Sequence, residues 1–161
     1  MDDVALARAL HVLAVVVWIG GVAMVTLAVL PAIRRGELGP DRLAAFKAIE
    51  RRFSWHARIA VLIVGLTGFY MLARFDVWDR FRTAEFWWMH AMVAVWTLFA
   101  LLLFVIEPLA AHRWFGVDAA HRPDAALWRL QRAHWVLLGL SVLTILGAVA
   151  GSHGWSIFWP A

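Results

Sequence analysis

The sequence predicts an all-α integral membrane protein, a four-helix bundle with both termini outside, and three observations carry that prediction. The chain of 161 residues is 63% hydrophobic, well above the roughly 45–50% apolar share of soluble domains. Its charged residues, 15 Lys+Arg and 11 Asp+Glu, fall between four long apolar stretches, each near the ~20 residues that cross a bilayer core as a helix. The basic residues also gather on one side of those stretches, as topology signals do.

The first span is expected over about residues 4–30, within an uncharged run from Val12 to Ile33 broken only by Pro31 near its end. A secretory signal would open with basic residues and a shorter apolar core, whereas this chain begins Met1-Asp2-Asp3, so the segment is expected to be a retained helix. The second span is expected over 55–74. Only 15 uncharged residues separate Arg58 from Arg74, so Arg58 is expected to snorkel to the interface. The preceding loop, residues 34 to 53, is expected to hold a separate interfacial helix from Asp41 to Arg52. The third span, 86–107, lies between Glu85 and Glu107, and the fourth, 128–152, carries no Asp, Glu, Lys or Arg after Arg132. One membrane domain, 1–161, accounts for the chain.

Orientation follows from the basic residues. Arg34, Arg35, Arg42, Lys47, Arg51, Arg52 and Arg58 lie between spans one and two, and Arg113, Arg122, Arg129 and Arg132 between spans three and four. The opposite side carries Arg8, Arg74, Arg80 and Arg82. Eleven against four places the first group inside and both termini outside, in the periplasm if the setting is a bacterial inner membrane. The same distribution, short basic loops flanking apolar spans, argues for the lipid bilayer and against nucleic acid as partner. With no cysteine, disulfides, iron–sulfur clusters, thiolate zinc or copper sites and covalent c-type haem are excluded. Any metal is left to His, Met or carboxylates.

Ionisable side chains within spans are functional suspects, and four of the seven histidines qualify. His11, His56, His90 and His134 each fall in the first turns of a different span. Because successive helices run antiparallel, His11 and His90 reach similar depth in the outer half, and His56 and His134 in the inner half. Paired histidines on facing helices are how bundles hold haem b, so one such haem is expected between His11 and His90, or two if His56 and His134 form a second site. His11 shares its helical stripe with Ala14, Val15 and Trp18, and His90 with Val93, Ala94 and Thr97. Small neighbours leave room for a macrocycle. The competing explanation for each is a histidine hydrogen-bonded to a neighbouring helix. Near the inner pair, Arg51, Arg52, Arg58 and Arg132 are candidate partners for haem propionates. His112 and His121 read as solvated, and His153 returns to the outer surface.

A copper site built from Met89, His90, Met92 and His153 is the rival, since thioether and imidazole both suit Cu(I). One regular helix turns Met89 and Met92 to one face and His90 off it. Eight of the eleven tryptophans lie near span ends as an interfacial belt: Trp55, Trp78, Trp87, Trp88, Trp114, Trp128, Trp155 and Trp159. Gly65 and Gly68 in span two, with Gly139, Gly147 and Gly151 in span four, are expected to let helices approach closely.

The run His11 to Gly21, HVLAVVVWIGG, resembles the first helix of the CopD and HemJ group of small membrane proteins. Phe46-Lys47-Ala48-Ile49-Glu50-Arg51-Arg52 and Trp88-Met89-His90-Ala91 resemble the corresponding HemJ segments in order and spacing. The resemblance covers roughly the first three spans and is loose over the fourth. It implies a four-helix haem b core with His11 and His90 at the motif histidines, and an activity in tetrapyrrole (protoporphyrinogen IX) oxidation or in copper handling. Met92 stands where HemJ-like sequences carry a lysine, which weighs against the oxidase. The expectation is therefore a membrane haem protein that moves electrons, with a quinone or other small redox partner, and the sequence is compatible with an oligomer.

Overall fold

The computed structural model describes residues 2–109 and 123–155, and all regular structure among them is helical. Four helices are long and apolar enough to cross a membrane: Asp3–Arg34, Arg42–Phe75, Ala84–Leu109 and Asp124–Ser152. In none is more than 33% of the apolar window buried inside the bundle. Leu13, Val16, Leu66, Leu143 and many like them point outward, an apolar exterior that suits lipid and not water.

The first of these helices comprises α1 (Asp2–Met24), a π-helical turn (Val25–Val29) and α2 (Leu30–Arg34). After a turn closed by Gly36 and Gly39, both at positive φ, comes α3 (Arg42–Phe75), then two short 3₁₀ turns, α4 (Trp87–Leu101) with a second π-helical turn (Leu102–Ile106), and finally α5 (Pro123–Ser152). The expected interfacial helix over 41–52 and span over 55–74 prove to be one continuous helix. Asp41 caps its start by accepting the Ala44 N–H at 2.9 Å, and neither Gly nor Pro interrupts the chain from Arg42 to Val64, so nothing breaks it. It ends at Asp76, held left-handed at φ 50°, where a C-cap is usually found.

The bundle is two helix pairs. α1 packs most extensively on α3 and α4 on α5, while contact between the pairs is sparser. At the outer end, as the charge count defines it, Arg74 pairs with Asp3 at 3.2 Å and Tyr70 donates to the same carboxylate at 2.6 Å. At the Arg-rich end, Arg42 pairs with Asp124 at 2.7 Å and donates to the Arg34 carbonyl at 3.3 Å. The core between these ends joins Ala14, Trp18 and Val22 to Ala57, Val61, Phe99 and Leu138. A second cluster of Leu30, Ile33, Phe46 and Leu127 lies toward the Arg-rich end.

The two π-helical turns share one cause. Each ends two residues before a proline, Pro31 in the first case and Pro108 in the second. A proline inside a helix clashes with the preceding turn and donates no N–H, and widening that turn relieves the clash. In the π register a carbonyl bonds the N–H five residues on, which for Thr26 and Leu103 is the proline nitrogen. Both carbonyls would be orphaned. Gln131 of α5 donates to the Thr26 carbonyl at 2.9 Å, and Arg58 of α3 donates to the Leu103 carbonyl at 3.1 Å. Arg58 also pairs with Glu107 at 3.2 Å. Arg58, expected to reach toward the interface, thus also bonds within the bundle, because a proline-orphaned carbonyl lies within its reach.

The glycines do admit close neighbours, and the neighbours are mostly rings. The Phe53 ring packs over Gly21, Trp87 over Gly147 and Trp88 over Gly151. A Cβ at Gly65 would lie 2.6 Å from the Trp96 indole. That indole donates to the Val61 carbonyl at 2.9 Å, which a side chain at position 65 would cover, since helical side chains lie over the turn before them. Gly139 has nothing within 4 Å, so it is not a packing glycine.

Candidate functional site

Where the two helix pairs separate toward the Arg-rich end lies an open-sided cavity of about 770 Å³, within the roughly 300–1,000 Å³ typical of small-molecule and cofactor sites. Every spanning helix contributes to it. Trp18 and Val22 of α1, Ala57 of α3, Phe99 and Leu103 of the third helix and Leu137 of α5 make its apolar part. Lys47, Glu50 and Arg51, from the start of α3, and Glu107, just before Pro108, line its polar part. The cavity is therefore amphipathic along its length.

Of the residues singled out from sequence, His134, Trp18 and Arg51 line this cavity. His134 packs its ring edge-on to Phe46 at 6.3 Å and donates from Nδ1 to the Leu130 carbonyl at 2.9 Å. That bond fixes the tautomer and leaves Nε2, across the ring, as a bare lone pair. Trp18 is 4% exposed and sits edge-to-face with Phe99 at 4.8 Å between ring centroids. Its Nε1–H has no acceptor among the described residues. Buried donors without acceptors are few in native proteins and each asks for an explanation.

The predicted pairing of His134 with His56 is not what the structure displays. His56 is exposed and donates to the Arg52 carbonyl at 2.8 Å, and neither His56 nor Arg52 lines the cavity. Arg132 stacks its guanidinium over Trp128 at 4.1 Å, a pairing favourable for a cation over a ring face.

Each histidine of the outer pair is likewise bonded elsewhere. His11, half-buried, bonds through Nδ1 to Thr67 Oγ1 at 3.0 Å, and its ring edge lies over Gly68. Thr67 gives its own hydroxyl hydrogen to the Ile63 carbonyl at 2.6 Å, so His11 is the donor. His90 is exposed, donates from Nε2 to the Phe81 carbonyl at 2.9 Å and meets the Phe81 ring edge-on at 5.2 Å. Only its Nδ1, the nitrogen nearer its own backbone, is left to accept or ligate. Neither histidine lines the cavity. Beside His90, Met89 is 4% exposed, so the two side chains point apart as the helical repeat requires. His153 bonds back to the Val149 carbonyl of its own helix. His112, His121, Trp114 and Trp159 lie outside the described residues.

Lys47, Glu50, Glu107 and Gln131 were not singled out from sequence as site residues. The signal was available for the first two, since they precede span two on the same stripe as Ser54, but it becomes readable only once Arg42–Phe75 is known to be one helix.

Among the described residues the protein is all-helical, and its four long apolar helices all contribute to an amphipathic cavity. No protein-family model matches the chain, and neither a curated protein nor a solved structure is significantly similar to it.

Proposed function

We propose that the protein is an integral membrane haem b protein that moves electrons, with the haem seated in the Arg-rich cavity and His134 as its protein ligand. One observation carries the reading: His134, its Nδ1–H engaged by the Leu130 carbonyl, lines a cavity of about 770 Å³ whose polar part bears Lys47, Glu50, Arg51 and Glu107. These donors suit a porphyrin, which brings most of the iron's donors with it. Among the described residues no three of His, Asp and Glu converge to make a metal site on their own. The Nδ1–H bond to Leu130 would hold the imidazole plane and raise its basicity, as such outer bonds do for ligating histidines. Arg51 and Lys47, which share the polar part with Glu50 and Glu107, would face the carboxylates of the macrocycle, and Val22, Ala57, Phe99 and Leu137 would keep water from its apolar edge. When bound, haem supplies a one-electron couple whose potential the surrounding charges tune.

In this reading the chain sits in a bacterial inner membrane with the Arg-rich end inward, where a quinone or other small redox partner is the exchange partner. The test is a visible spectrum of the detergent-purified protein. A Soret band, a sharp dithionite-reduced band and extraction of the pigment by acid acetone are expected, because no cysteine can hold it. His134→Ala should remove most of the haem while His56→Ala leaves it. A colourless protein, or one that keeps its haem without His134 and loses it without His11 or His90, refutes this placement.

A further inference from the structure

The arginines at the Arg-rich end carry more arrangement than a topology signal needs. Orientation asks only that basic residues lie on that side of the membrane. Here the last turn of the first spanning helix and the first turns of α5 form an open depression of about 650 Å³, lined by Pro31, Arg34, Arg35, Asp124, Ala125 and Trp128. Asp124 is already paired with Arg42 at 2.7 Å, and nearby Glu37 with Arg35. Arg34, Arg129 and Arg132 are exposed and take no part in those pairs. Arg132 starts one turn deeper than Trp128 and reaches back over its indole at 4.1 Å, as side chains tilted toward a helix N-terminus do. Its charge thereby comes to the rim of the depression.

Below the depression the same face of α5 continues along the apolar exterior. Trp128, Arg132, Trp135, Gly139, Leu143 and Leu146 follow at intervals of three and four residues, which makes one helical stripe, and all of them are exposed. Gly139 lies about 16 Å along the axis from Trp128, at roughly 1.5 Å per residue, or about half of a ~30 Å hydrocarbon core. A Cβ there would meet nothing within 4 Å, whereas Gly21, Gly65, Gly147 and Gly151 each seat a ring. The stripe therefore holds a notch, between Trp135 and Leu143, that opens outward.

We infer that this face binds one anionic phospholipid, its phosphate among Arg34, Arg35 and Arg132 and one acyl chain laid along the stripe into the Gly139 notch. Basic pockets between spanning helices hold acidic headgroups in this way, and the apolar stripe below the charge commits the site to a lipid over free phosphate. The inference shares with the haem reading only the chain's place in a bilayer, and no cofactor enters it.

The full-length protein in detergent is titrated with phosphatidylglycerol, with phosphatidylcholine of the same acyl chains and with glycerol 3-phosphate, and bound molecules are counted by native mass spectrometry. One phosphatidylglycerol is expected to be retained in preference to phosphatidylcholine, and glycerol 3-phosphate should not displace it. Arg34→Gln and Arg132→Gln should each weaken phosphatidylglycerol binding by about fivefold and leave phosphatidylcholine unchanged. Gly139→Leu, which fills the notch, should weaken both lipids and keep their order. Arg80→Gln, in the turn at the opposite end, should change nothing. Equal retention of the two lipids, or a loss from Arg80→Gln as large as that from Arg132→Gln, would mean diffuse attraction to surface charge and overturn the site. Glycerol 3-phosphate bound as tightly as the lipid would overturn the lipid assignment, and indifference to Gly139→Leu would overturn the seat of the chain. The three probes on the wild type decide headgroup and chain dependence even if a variant folds poorly.

Discussion

Gln131 offers a test in which the sign of the effect depends on a residue in another helix. Its amide donates to the Thr26 carbonyl, which is orphaned because the N–H five residues on belongs to Pro31. Gln131→Leu therefore leaves a buried carbonyl unpaired, at a cost of about 1–3 kcal/mol. It also removes Gln131 Oε1, itself buried without a partner among the described residues, which returns part of that cost, so a net loss of about 1 kcal/mol is expected. In a Pro31→Ala background the backbone regains an N–H and the Thr26 carbonyl no longer needs the amide. There Gln131→Leu should be neutral or stabilising, because only the removal of the unpaired oxygen remains. The four proteins form a double-mutant cycle with an expected coupling of about 1 kcal/mol, within the range for residues sharing a partner. Unfolding in mixed micelles, followed by circular dichroism and tryptophan fluorescence, measures it. Equal costs of Gln131→Leu in both backgrounds would refute the link between the proline and the glutamine.

Arg58→Met should destabilise more than Gln131→Leu, by about 2–4 kcal/mol, since it strips partners from both the Leu103 carbonyl and Glu107; the same unfolding titration reads it. Gly65→Ala should cost about 1–3 kcal/mol by pushing the Trp96 ring off its seat, and a red-shifted tryptophan emission should accompany it. Gly139→Ala, with open space around it, should be neutral or stabilising by up to about 1 kcal/mol. Single cysteines at Asp79 and Gly39, in a background with none of its own, should be labelled from outside and protected respectively in intact cells, and the reverse would invert the orientation argued from the basic residues.

Residue composition and charge were enough to find four helices, because an apolar run of sufficient length has few other uses. They were not enough to find where the second helix begins. Lys47, Glu50, Arg51 and Arg52 read as an interfacial segment, yet helix continuity depends on the absence of a breaker and on the Asp41 cap, not on hydropathy. The histidines divide along the same line. Their depth follows from position along each span, and His11 and His134 do face into the bundle. Their direction around the helix axis does not follow, and it is that angle that sends His11 to Thr67, His90 to Phe81 and His56 outward. The prolines were visible throughout, but the carbonyls they orphan acquire partners only when the helices are docked.

Gly21, Gly65, Gly147 and Gly151, each occupied by a ring from the facing helix, set the angular indexing of the bundle. Lipid tails are about as apolar as leucine, so burial gives a helix in a membrane little reason to present one face over another. A ring resting in a glycine notch provides that reason mechanically: turning or sliding the helix by even part of a turn lifts the ring onto a neighbouring Cβ. The cavity near His134 therefore inherits its shape from contacts that include none of its polar groups. Substitutions at distant notches should distort it before they unfold anything.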